Sequence, residues 1–267
     1  MKKPSILERR TEVYKQHHKY FDVCIELLEY SEDNIVSINE ALRTQELDIN
    51  YKKLLILLFT RNTSTFRGTI ILCAYGQQTD AHCLLRTMVE SYINLKYIQT
   101  NREPLAKRFL EYGFMNVYQF FEKASREHPE QFLPLLEWFN AQPNWKEKYL
   151  ELKTVYPQDQ RNWSDKNVRE MAEKSNNLDI YPTYRFLSES LHTSLSSLGS
   201  NISGSEGTQR IELYEDTRTI YFTLDLAFKA YYNILCEIRN EFGIKQSEEL
   251  EQIVRKFLQI PKEHNKS

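Results

Sequence analysis

"AHCLLRTMVESYINLKYI", residues 81–98, is the stretch on which the fold class turns. Ala81, Leu84, Leu85, Met88, Tyr92 and Leu95 follow the i, i+3/i+4, i+7 spacing of one helix face, and Arg86, Glu90 and Lys96 are its only charges. A helix this apolar around its whole circumference belongs in a core, so its neighbours must supply the wet faces. Residues 219–236 have the same character, with Asp225 and Lys229 as their only charges. Two such segments predict an all-α protein, a multi-helix bundle.

The rest of the chain agrees with that class. Glycine is scarce at seven residues, and no Asn-Gly, Asp-Gly or Gly-Gly pair offers a hairpin turn. Periodicity and punctuation place helices at about 5–46, 50–75, 77–100, 104–127, 129–141, 144–154, 164–175, 181–198, 211–242 and 247–259. "SEDN" at 31–34 can break the first of them. Pro104 and Pro129 suit first turns, Pro143 and Pro157 suit connections, and Ser164 and Ser247 suit N-caps. The Gly- and Ser-rich "NISGSEGTQR" (201–210) reads as a mobile loop. The division expected is an N-terminal helical arm (1–50), a helical-bundle domain (51–259) with a helical insertion at 104–160, and a flexible tail (260–267).

Thirty-five basic residues against 37 acidic ones leave a net charge of −2, so any contact with RNA must come from a local patch. Cys24, Cys73, Cys83 and Cys236 show no CxxC and no close spacing, and read as reduced thiols. The N-terminal stretch lacks the apolar run of a secretion signal, and "LLILLF" (54–59) falls short of the roughly 20 residues a membrane span needs. A soluble cytoplasmic protein with no membrane partner is expected. There is no GxGxxG, no phosphate-binding Gly-Lys-Ser/Thr loop, no His-Glu-x-x-His and no GxSxG. "KQHHKYF" (15–21) directs its adjacent histidines to different helix faces and makes a poor metal site. No metal and no cofactor are expected.

Two polar groupings remain. Arg86 and Glu90 sit four apart in the apolar helix, with His82 one turn earlier on the same face. They read either as a structural ion pair or as the floor of a polar site. Arg185 and His192 lie seven apart in "YRFLSESLHTS" (184–194), within about 20° of one helix face and about 10.5 Å apart along it, with Ser188 and Glu189 between. Such a pair can cleave RNA without a metal: a neutral histidine relays the 2′-hydroxyl proton and an arginine stabilises the phosphorane. The plainer reading has His192 and Ser188 completing hydrogen bonds near a helix end.

Taken together, "LLRTMVESYINLKYI" (84–98), "NWSDKNVREMAEKSN" (162–176) and "YPTYRFLSESLHTS" (181–194) resemble the bacterial family known as domain of unknown function 5677. The matching positions are Arg86, Glu90, Asn94 and Leu95, then Trp163, Ser164, Lys166, Met171 and Ala172, then Tyr184, Ser188 and His192. The resemblance implies a polar pocket containing Arg86, Glu90, Lys166, Ser188 and His192, and Tyr184 is a further candidate binding residue. More distantly the chain is similar to HEPN helical-bundle proteins, many of them metal-independent endoribonucleases of toxin or antiviral systems. Their arginine and histidine are separated by four to six residues, and Arg185 and His192, with six between, meet that limit. Phe186 stands where those nucleases usually carry a polar residue, which makes Arg86 the rival phosphate-binding arginine.

The function expected is therefore a metal-independent endoribonuclease of HEPN type, serving in phage defence or as a toxin. His192 would be the acid/base, Arg185 or Arg86 would hold the phosphate, and the protein would act as a homodimer on RNA. The alternative is a non-enzymatic helical module that binds a partner protein or a small anionic ligand, with Arg86 and Glu90 as a structural ion pair.

Overall fold

The computed structural model describes residues 5–44, 48–156, 162–189, 202–203, 210–211, 217–244 and 247–260. They form helices α1 (Ile6–Asp33), α2 (Ile35–Thr44), α3 (Ile49–Ala74), α4 (Gln78–Ile98), α5 (Arg102–Glu127), α6 (Pro129–Asn140), α7 (Trp145–Val155), α8 (Val168–Lys174), α9 (Tyr181–Glu189), α10 (Ile220–Glu241) and α11 (Glu248–Gln259). The protein is all-α. The described strands amount to one antiparallel pair of two residues each, Ile202–Ser203 against Arg210–Ile211. The chain divides into two compact units, one of Met1–Glu46, Leu55–Leu95 and Asp179–Ser267, the other of Leu47–Leu54 and Lys96–Leu178.

In the first unit α10 is the central element. Ile220, Leu224, Ala227, Phe228, Tyr231, Ile234, Leu235 and Ile238 recur at helical spacing and are all buried. Helix α1 packs along it, burying Val13, His17, Phe21, Cys24, Leu28 and Ser31 at intervals of three and four residues. Helix α11 covers the same neighbourhood, its Phe257 ring stacked on Phe228 with centroids 3.9 Å apart. Phe66 of α3 stacks on Tyr231 at 4.4 Å, and the Tyr231 hydroxyl lies 2.9 Å from Thr63 Oγ1. Gly68 lets α3 approach α4 closely: a Cβ there would stand 2.9 Å from Leu84 Cδ1.

Several buried polar groups of this unit have side-chain partners. Arg239, 4% exposed, donates to the Tyr30 hydroxyl, and Ser247 Oγ donates to the same oxygen at 2.8 Å. Ser247 also caps α11, accepting from the Leu250 amide at 3.3 Å. Helix α1 departs from helical geometry at His17 (φ −121°, ψ 19°), whose Nε2 lies 2.7 Å from the Thr217 carbonyl oxygen. Of the adjacent histidines, His17 is buried and His18 is exposed.

The second unit is built on α5, against which α6 and α7 pack. Tyr118 and Tyr149 stack at 4.1 Å, and the Tyr149 hydroxyl donates to Glu122 at 3.0 Å. Burial, then that carboxylate, pushes the Tyr149 phenol up to about 12. Trp163 is held between Tyr97 and Phe109, with Met171 and Ala172 buried in the same unit. Glu103 accepts from the amides of Asn50 and Tyr51, each at 3.1 Å, and so satisfies donors in the first turn of α3.

Local chemistry explains the departures from expectation. The first helix breaks at 33–34, within the "SEDN" stretch, and Asn34 closes α1. Ser164 does not cap a helix; it sits in a turn, and the cap of α8 is Asn167, whose side chain and that of Glu170 form a reciprocal capping box. The last long helix begins at Ile220 rather than near 211, because the helical spacing of apolar residues begins there, whereas Ile211 and Leu213 alternate in period two. The 201–210 stretch contributes to the short antiparallel pair. Pro157 and residues 261–267 lie outside the described residues. Among the described residues no helix is long and apolar enough to cross a membrane, and the four cysteines are free thiols, Cys24 and Cys73 buried.

Truncating Phe228 to alanine opens a cavity at the centre of the α1–α10–α11 packing and lowers unfolding stability by about 3–5 kcal/mol in urea titrations. Glu103→Ala removes a cap and lowers it by only about 1 kcal/mol.

Candidate functional site

Arg86 and Glu90 face the same way because four residues make little more than one helical turn, and α9 lies across that face. The Arg86 guanidinium is held from three directions. Its Nε donates to Ser188 Oγ at 3.0 Å, one Nη donates to the Tyr184 hydroxyl at 2.7 Å, and the same nitrogen is 3.4 Å from Glu90 Oε2. The guanidinium carbon also stands 4.9 Å from the centroid of the Tyr184 ring. Ser188 donates its own proton to the Tyr184 carbonyl oxygen one turn back, at 2.7 Å, which leaves its lone pairs for the arginine. Tyr184 and Ser188 are four apart, so one face of α9 supplies both contacts. The side chains of Arg86 and Glu90 remain 26% and 33% exposed. This is a charged group fixed in place at the edge of solvent, not a sealed ion pair.

The surroundings are aromatic. Tyr181 stacks on Tyr184, rings 6.0 Å apart, and Phe186 meets both His82 and Phe222 edge-on at 5.6 and 5.9 Å. His82 lies 2.9 Å from Thr223 Oγ1 through its Nε2. Burial lowers the His82 pKa from 6.5 to about 4, because a protonated imidazole would lose its hydration there. The neutral ring can therefore accept or donate one hydrogen bond but carries no charge at neutral pH. Tyr92, two residues beyond Glu90, has its phenol pushed up to about 12, first by burial and then by the carboxylates of Glu237 and Asp179.

The residues singled out from sequence separate into groups. Arg86, Glu90, Tyr184 and Ser188 come together. Arg185 does not join them: its side chain is 62% exposed and lies 3.8 Å from Glu189, on another side of α9. The spacing of Arg185 to His192 along an ideal helix could not reveal which face α9 buries. Lys166 belongs to the second unit, where its amide donates to Ser164 Oγ at 3.2 Å and its carbonyl accepts from Asn162 at 2.7 Å. His192 lies outside the described residues. Among the described residues no cluster of three or more histidine, cysteine or carboxylate groups could hold a metal ion. Tyr181 went unnoticed in the sequence, although its i, i+3 spacing to Tyr184 was the available signal.

The remaining positions of the pattern have different roles. Leu95, Trp163, Met171 and Ala172 are buried in the cores of their units. Asn94 Oδ1 is a buried acceptor with no hydrogen-bond partner among the described residues. The model of one protein family, "Family of unknown function (DUF5677)", matches residues 52–209. The chain belongs to that family. Neither the curated proteins nor the solved structures gave a match to it.

The depressed His82 pKa has a consequence for stability. The unfolded chain takes up the proton as pH falls below 6.5, while the folded chain resists until about 4, so stability is lost progressively across that window. His82→Gln keeps a group able to bond Thr223 and cannot titrate. Its thermal midpoint should fall less steeply between pH 6.5 and 4 than that of the wild type, as followed by circular dichroism.

Proposed function

We propose that this family member is a metal-independent endoribonuclease of HEPN type, with Arg86 binding the scissile phosphate and His192 moving the proton. The observation that supports this reading is the restraint on Arg86, whose guanidinium is anchored by Ser188, Tyr184 and Glu90 yet still a quarter exposed. An arginine whose geometry is set before substrate arrives spends no reorganisation on the charge that develops in the transition state. His192 enters by its sequence position alone, four residues after Ser188.

In the proposed reaction neutral His192 accepts the proton of an RNA 2′-hydroxyl, and the 2′-oxygen attacks the adjacent phosphorus. Arg86 stabilises the added negative charge on the phosphorane. The bond from phosphorus to the 5′-oxygen then breaks, the leaving oxygen takes the proton held by His192, and a 2′,3′-cyclic phosphate remains. Tyr184 and Ser188 position Arg86, and Tyr184 keeps a hydroxyl proton with which it can donate to the phosphate. Arg185, exposed and paired with Glu189, has no part in this scheme. A homodimer, a cytoplasmic location and a role in phage defence or as a toxin complete the proposal.

Glu90 favours a second reading. A carboxylate 3.4 Å from Arg86 offsets part of its charge, as a structural ion pair would. In that case the chain is a non-enzymatic module, and the same cradle receives a partner protein or a small anionic ligand.

Cleavage of a labelled RNA in EDTA separates the two readings. His192→Ala should abolish cleavage with little change in thermal midpoint, Arg86→Ala should slow it about 10²-fold, and Arg185→Ala should leave it nearly unchanged. Wild-type protein that leaves every RNA intact, together with a large drop in midpoint for Arg86→Ala, would sink the nuclease reading in favour of the structural one.

A further inference from the structure

Helices α1 and α3 of the first unit enclose a groove of about 690 Å³ that plays no part in the Arg86 cradle. Its size falls within the range of small-molecule sites. Phe21, Ile25, Leu28, Ile70, Ile71 and Ala74 line it with aliphatic and aromatic carbon. Helix α1 leaves helical geometry at His17, between two groove residues, Tyr14 and Phe21, whose rings stack at 5.6 Å. The polar groups around it are few and mostly engaged: the Tyr14 hydroxyl donates to Asp22, and Arg67 is ion-paired with Glu32. Arg10 differs. Its guanidinium stands 5.7 Å from the centroid of the Tyr75 ring and has no carboxylate partner among the described residues.

We infer that this groove binds a free amphipathic carboxylate, its acyl chain lying on the apolar walls and its head group at Arg10. The charge distribution selects the class of ligand. Arg10 supplies one unneutralised cation, whereas Glu32 offsets Arg67, so the site suits a molecule with a single anionic end. The surface of α1 around Arg10 carries both signs, with Glu8, Arg9, Glu12 and Lys15 nearby in sequence. It thus lacks the run of basic residues that an anionic bilayer would require.

Calorimetric titration with octanoate, decanoate and dodecanoate below their micelle concentrations tests the inference. One saturable site is expected, with affinity rising about fourfold per added methylene until the groove is filled. Arg10→Ala should weaken dodecanoate about tenfold and leave the neutral dodecanol unaffected. Ile71→Asp, a change at an exposed groove position, should weaken both. Absence of saturable dodecanoate binding overturns the site, and equal dodecanoate affinity in wild type and Arg10→Ala overturns the role of the charge. Co-sedimentation with phosphatidylglycerol vesicles without binding of free dodecanoate would assign the groove to a membrane instead.

Discussion

Two helices of this chain are apolar over most of their circumference, and most of the architecture answers that constraint. Residues 81–98 of α4 and 219–236, most of α10, carry so few charges that neighbouring helices must cover most of their surface. The cover for α10 comes from α1 and α11, which are far from it in sequence on the N-terminal side and close on the C-terminal side. Burial of ordinary aliphatic and aromatic residues supplies the main stabilisation, at about 1.5–3 kcal/mol for each large side chain removed from water. Some of the polar groups taken into this core are satisfied where they stand, as Arg239 is by Tyr30 and His82 by Thr223, whereas Asn94 Oδ1 has no hydrogen-bond partner among the described residues. Left without a partner, such a group costs about 1–3 kcal/mol, comparable to what burying one large side chain returns.

The same constraint explains why Arg86 is held as it is. An arginine on an apolar helix loses hydration when a neighbouring helix packs over it, and the neighbour must replace what water provided. Helix α9 does so with one phenol, one hydroxyl and one aromatic face, and Glu90 adds a carboxylate from α4 itself. A charge restrained by neutral donors and acceptors retains more of its field than one matched only by opposite charge. In both proposed readings that field, less the part offset by Glu90, is what would draw an anion to the cradle.

The family pattern, taken as a list of positions, mixes two kinds of requirement that the structure separates. Leu95, Trp163, Met171 and Ala172 are core residues whose role is volume, whereas Arg86, Glu90, Tyr184 and Ser188 share a polar contact at the edge of solvent. Nothing in the spacing distinguishes these classes, since an i, i+4 interval places two residues on one face without saying what that face meets. Ser164 illustrates the same ambiguity: a serine ahead of acidic residues looks like a cap, yet Asn167 with Glu170 makes the better reciprocal pair and takes the position.

Local properties were legible in the amino-acid sequence alone: the all-α class, the approximate placement of most described helices, the break at 31–34, the Ser247 cap and the burial within residues 81–98. Each depends on periodicity or on contacts within one turn, which the order of residues contains directly. Tertiary structure alone decided that Arg86 rather than Arg185 meets Tyr184 and Ser188. Two arginines of identical chemistry differ only in which way their helices face, and that rotation is set by how distant segments pack, not by any interval within a segment.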